Sequence, residues 1–193
     1  MNQENVHNSN FQAKTILSLR EMILAAFFAA LTFIMGFISI PLPFSPVPIT
    51  GQTFALMLTG SLLNPITAFF SMVVYLLLGA IGIPVFAGLH GGIGVLLGPT
   101  GGYLFAMPIA ALIMSLLIRK IKLNYLKLIL INIFGGILVV YAIGIPQLAY
   151  VAGIGLKKAL LVGAVPYLIG DFIKVLIASY LALKLRPILN RYK

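Results

Sequence analysis

The sequence predicts an all-α, polytopic membrane protein, and three observations lead there. Of 193 residues, 61% are hydrophobic and only 8% charged, whereas a soluble domain carries about a quarter charged residues. The apolar residues form long continuous runs, not the alternation that a transmembrane barrel requires. The thirteen Lys and Arg, which set a net charge of +10, gather in short loops and tails, as orientation signals do. That placement argues against nucleic acid as a partner. Without cysteine there are no disulfides or thiolate metal sites. The two histidines include His7 in the polar tail, so a histidine metal cluster is not expected.

Six spans are expected within one membrane domain, residues 20–185, between a polar tail at 1–19 and a basic tail at 186–193. The first run, Met22 to Ile40, is long enough for a hydrocarbon core of about 30 Å at about 1.5 Å per residue. It lacks a small-x-small cleavage site and is read as retained. An uncharged, proline-rich linker follows, PLPFSPVPITG at 41–51. The second run covers 52–63 and breaks at Asn64-Pro65; the third covers 66–82 and breaks at Gly82-Ile83-Pro84. The glycine-rich stretch VFAGLHGGIGVLLGPTGG precedes the fourth run, Tyr103 to Ile118, and runs at 126–145 and 159–183 complete the set. AIGIP occurs at 80–84 and again at 142–146, and a glycine followed by proline predicts a helix break at each copy.

Six spans put both termini on one side, and charge selects the side. Lys14, Arg20, Arg119, Lys120, Lys122, Lys127, Lys184, Arg186, Arg191 and Lys193 fall together, with only Lys157 and Lys158 opposite. The positive-inside rule then makes both termini cytoplasmic. The proline-rich linker and the glycine-rich stretch lie outside. Irregular backbone at membrane depth is tolerated where it lines a cavity, so these segments read as a lid over an external cavity, or else as ordinary surface loops.

Asp171 and Lys174 stand inside the last run, YLIGDFIKVLIASY. Each is expensive in hydrocarbon, by roughly 2.5–3.5 kcal/mol on insertion scales. Their spacing of three puts them on one helix face, and Tyr167, four residues before Asp171, joins them. A self-neutralising pair fixing helix packing is one reading, and a proton relay another. A site for a small ligand with both N–H donors and carbonyl or carboxylate acceptors is the third. Gln52 below the linker, and Gln147 with Tyr150 beyond the second AIGIP, are polar candidates for the same cavity; Tyr75, Asn132 and Tyr141 are further polar residues at membrane depth. His90, between glycines, is read as a loop residue. In the first span, Ala25 with Ala29 and Ala26 with Ala30 form overlapping small-xxx-small pairs, suited to close helix contact. No GxxxxGK[ST] loop is present, so ATP hydrolysis would need another chain.

The blocks PVPITGQTFALMLTG (46–60), GAIGIPVFAGLHGGIGVLLGPTGGYLFAMP (79–108) and IGDFIKVLIA (169–178) resemble BioY, the biotin-specific S component of energy-coupling factor vitamin transporters. The resemblance covers nearly the whole chain after the tail. It implies a six-helix, non-enzymatic subunit of the bacterial plasma membrane that binds biotin from outside. It also implies roles for Asp171 and Lys174 in biotin recognition, and for Ala25, Ala26, Ala29 and Ala30 in contact with the transmembrane coupling (T) subunit. Two ATPase subunits would supply energy, and some relatives are reported to work without them. No cofactor is implied, biotin being cargo. Biotin offers two ureido N–H donors, a carbonyl, an apolar ring system and a carboxylate. Asp171 matches a ureido N–H; Lys174 matches the ureido oxygen or the carboxylate; Phe86 and Tyr103 are candidates to cover the ring. The alternative reading is a self-sufficient, ion-coupled carrier, and a third is an assembly scaffold without a small ligand.

Overall fold

The computed structural model describes residues 17–191; His7, Lys14 and Lys193 lie outside that range. Helix α1 (Leu19–Gly36) starts at Ser18, where a capping box with Glu21 satisfies free backbone donors at its N-terminus. A short antiparallel hairpin follows, β1 (Ser39–Leu42) and β2 (Ser45–Thr50), with Ser39 opposite Thr50 and Ile40 opposite Ile49. The predicted linker is thus a proline-studded ribbon. Proline lacks the donor that a further strand would need, so it suits a two-stranded edge.

Helices α2 (Gln52–Leu62) and α3 (Pro65–Ala80) meet at Asn64-Pro65. After Ala80 the chain enters the glycine-rich segment, which contains a 3-10 turn, Ala87–Leu89, and a short helix, α4 (Ile93–Leu97). Gly92 has φ 95°, open to glycine without strain. Helix α5 (Gly101–Arg119) carries Pro108 within it and ends at the basic loop. The fifth run is one continuous helical path: α6 (Tyr125–Ile133), a π-helical segment Phe134–Val139, and α7 (Val140–Val151).

Here the second AIGIP departs from expectation. Pro146 lies inside α7, which continues to Val151; helix-breaking residues are tolerated in membrane helices where neighbours re-satisfy the freed backbone. The first copy does end its helix, at Ala80. The sixth run breaks instead, into α8 (Leu156–Gly163), a 3-10 turn Val165–Tyr167, and α9 (Leu168–Arg191). Pro166 sits in that turn, and α9 runs through Arg186 and Pro187 where a tail was expected.

Among the described residues, four helical stretches are long and apolar enough to cross a bilayer: Leu19–Gly36, Gly101–Arg119, Tyr125–Val151 and Leu156–Leu189. Pro65–Ala80 is a shorter apolar helix, and α2, with 11 residues, is mostly buried among the others. The core is apolar, centred on Leu56, Met57, Met72, Met114 and Leu128. One polar chain crosses it: Ser61 Oγ donates to Asn132 Oδ1 (3.0 Å), and Asn132 Nδ2 donates to Ser179 Oγ (2.9 Å). This joins α2, α6 and α9 by the interhelical bonding that hydrocarbon surroundings favour.

Candidate functional site

The break before α9 places Asp171 in that helix's first turn, where the positive end of the helix dipole favours a carboxylate. Its neighbours come from two other helices. Lys174 Nζ donates to Asp171 Oδ1 at 2.9 Å and to Thr53 Oγ1 of α2 at 3.0 Å. Thr53 in turn lies 3.4 Å from Asp171 Oδ1, and the Tyr141 hydroxyl of α7 donates to Asp171 Oδ2. Asp171 is 3% exposed, while the Lys174 side chain keeps 19% exposure. Two of the three ammonium protons are therefore placed, and the third remains for the cavity that Lys174 lines.

That cavity holds about 600 Å³, within the range of small-molecule sites. Asp171, Lys174 and Thr53 lie on its wall with Gln52, Tyr103, Tyr141 and Tyr167. Apolar surface comes from Phe86, Val95, Leu104, Met107 and Val140. The hairpin contributes Ser39, Ser45, Val47 and Thr50, and the glycine-rich segment contributes Ala87, His90, Gly94 and Thr100. Both irregular segments thus border the cavity that holds the charged pair.

Each of these irregular segments is tied down by a polar anchor. The Tyr167 hydroxyl donates to Val47 O (2.5 Å) and sits 2.8 Å from Ser45 Oγ, fixing the hairpin to the turn before α9. Gln147 Nε2 donates to Leu96 O (2.8 Å) and Gly98 O (3.0 Å), holding α4 against α7. Gln52 Nε2 donates to the Tyr75 hydroxyl, which donates to Val85 O at 3.1 Å. Phe86 is buried edge-on against Tyr75, with centroids 5.6 Å apart. Its ring lies on the backbone of Gly79, where any Cβ would overlap it. Tyr103 donates to Gly163 O (3.0 Å) and stands edge-on to Tyr141.

Six of the predicted ligand residues therefore border one cavity: Asp171, Lys174, Gln52, Tyr103, Tyr167 and Phe86. Gln147 does not line it; its amide is spent on the α4 carbonyls. Tyr150, 88% exposed near the end of α7, is not part of the cavity wall. Among the four alanines, Ala25 and Ala29 are buried inside this chain, so they cannot meet a partner, whereas Ala26 and Ala30 are exposed. Thr53 had no place in the sequence reading, and Tyr141 was noted only as polar at membrane depth. The clue for Thr53 was its position beside Gln52 at the start of α2.

Residues 6–191 match the model of the BioY family. The chain belongs to the BioY family. It is 40% identical over 177 residues to the probable biotin transporter BioY of Bacillus subtilis, covering 91% of this chain and 95% of that one. To the biotin transporter BioY of Thermotoga maritima it is 38% identical over 170 residues, covering 88% and 98%. Among solved structures, it superposes with TM-score 0.83 and 30% identity on the S-component for biotin from an ECF-type ABC transporter, covering 87% of this chain and 91% of that chain. The chain is thus a membrane-spanning homologue of biotin-transporter S components.

Proposed function

We propose that this chain captures biotin in the lidded cavity and delivers it across the membrane as the S subunit of an ATP-driven importer. The observation that carries the reading is the Asp171–Lys174 pair, set with Thr53 and Tyr141 in the wall of a 600 Å³ cavity with a largely apolar lining. A pair kept only for packing would be cheaper as apolar residues; a ligand with matching polar groups explains its retention. The ureido N–H groups donate to Asp171, and the spare Lys174 proton reaches the ureido oxygen or the carboxylate. Phe86, Val95, Met107 and the tyrosines cover the fused rings.

In this reading six helical passes cross the membrane with both termini cytoplasmic, and the cavity opens outward. The exposed Ala26–Ala30 face of α1 meets the T subunit, which links the chain to two ATPases. The ion-coupled alternative is less well supported. The chain's acidic residues are Glu4, Glu21 and Asp171. Glu21 lines a separate hollow, bonded to Ser18 and Asn64, so among the described residues no second carboxylate lines the cavity with Asp171 to take up its proton. Titration calorimetry on detergent-solubilised protein tests the site: Asp171→Asn and Lys174→Ala are each expected to weaken biotin binding at least tenfold, about 1.4 kcal/mol. Unchanged affinity in both variants removes the pair from the site. Biotin accumulation in liposomes holding this chain alone, driven by a proton gradient, would instead establish the carrier.

A further inference from the structure

We propose that the end of the bundle opposite the cavity carries a binding site for the phosphate of an anionic membrane lipid. A second hollow of about 290 Å³ lies there, between the start of α1, the α2–α3 junction and the ends of α5 and α9. Arg20, Arg119 and Arg186 line it, together with one carboxylate, Glu21. The guanidinium groups are anchored without being used up. Arg20 donates to Leu189 O (2.5 Å), Arg186 to Ser61 O (3.0 Å) and Arg119 to Asn64 Oδ1 (3.1 Å). A guanidinium has five N–H donors, so most of this donor capacity remains. Arg119 and Arg186 also repel each other across the hollow, and an anion between them relieves that repulsion. Glu21 is turned to other work, accepting from Ser18 N (2.9 Å) and from Asn64 Nδ2 (2.8 Å).

Two further features face the same hollow. Thr67 lines it, is 1% exposed, and its hydroxyl has no hydrogen-bond partner among the described residues. Helix α3 also begins here, and the Asn64 side chain does not cap it. Pro65 has no N–H, and the helical bonding at this end begins with Ala68 N donating to Asn64 O (2.7 Å). The Ile66 and Thr67 amides at that N-terminus therefore add the donors and positive dipole end that suit phosphate.

The source of the phosphate follows from the surroundings. Leu24, Leu62, Leu63 and Leu189 complete the lining, and Leu19, Ile23 and Ile188 leave exposed apolar surface on the adjoining helices. A headgroup fits the hollow while its acyl chains lie along α1 and α9. Basic pockets between membrane helices are a recurrent setting for anionic headgroups.

Native mass spectrometry of the full chain, titrated with phosphatidylglycerol or phosphatidylcholine of equal chain length, tests the site. Phosphatidylglycerol is expected to be retained preferentially, and excess inorganic phosphate should not displace it. Arg119→Gln, at an exposed position, and the isosteric Thr67→Val should each weaken that retention about tenfold, with phosphatidylcholine unaffected. Biotin titration at the far cavity reports that each variant is folded. Equal retention of the two lipids overturns the proposal, as does phosphatidylglycerol retention unchanged in both variants. Displacement by free phosphate reassigns the hollow to a soluble anion. Loss of coupling-module capture in Arg119→Gln with lipid retention intact reassigns it to a protein partner; either outcome refutes the lipid.

Discussion

Replacing Lys174 separates the packing role of the charged pair from its binding role. In Lys174→Met the carboxylate of Asp171, 3% exposed, loses its 2.9 Å ion pair but keeps the Tyr141 bond to Oδ2. Removing one partner of a buried pair costs about 3–5 kcal/mol, and the surviving bond argues for the lower end, about 3 kcal/mol. The double variant Asp171→Asn/Lys174→Met removes both charges, leaving neutral groups whose lost bonds amount to about 1 kcal/mol. Stability should therefore fall in the single variant and largely return in the double one. Biotin affinity should stay at least tenfold down in both. The chain has no Trp and no Cys, so unfolding is best followed by far-ultraviolet circular dichroism in detergent, with calorimetry for binding. A double variant that binds biotin like the parent would refute a recognition role for the pair. A single variant as stable as the parent would refute its burial.

Three further outcomes follow from the lid and from α1. Tyr167→Phe deletes the bonds to Val47 and Ser45; release of radiolabelled biotin should quicken about fivefold, a loss of about 1 kcal/mol, and an unchanged rate would show that the hairpin is held otherwise. Gly79→Ala drives a methyl into the Phe86 ring; an overpacking penalty of about 1–3 kcal/mol should appear as lowered thermal stability together with weakened biotin binding. Ala26→Leu or Ala30→Leu should abolish co-purification with the T subunit while biotin binding persists, whereas Ala25→Leu, at a buried position, should destabilise the chain itself. Intact complex with both exposed-face variants would remove α1 from the interface.

The residues differ in how plainly the sequence declared them. Asp171 and Lys174 were legible because two charges in an apolar run have few reasons to be there. The irregular segments were legible as uncharged runs of proline and glycine, and the sequence left open whether they cap a cavity or form surface loops; in the structure they border the cavity. The apolar runs reappear as helices, four stretches among the described residues being long and apolar enough to cross a membrane, but their breaks were harder to place. Pro146 and Pro166 look equally disruptive in sequence; the chain turns at Pro166, behind Gly163, and passes through Pro146 unbroken. Continuation of α7 carries Tyr150 to an exposed position, and the partners of Gln147 are backbone carbonyls some 50 residues away. No local pattern encodes such partners. The alanine faces were separable in principle. Ala25, Ala29, Thr32 and Gly36 are all buried at spacings of four, three and four, the repeat of an inward helix stripe. That repeat assigns the inner face to them and leaves Ala26 and Ala30 outside.

A structure of the chain determined with bound biotin tests the central claim most directly. The ureido group is expected in the lidded cavity, with an N–H donor about 3 Å from an Asp171 oxygen and the Lys174 ammonium on a second polar atom of the ligand. Biotin seated elsewhere, with Asp171 and Lys174 still closed on each other and on Thr53 and Tyr141 alone, would contradict it.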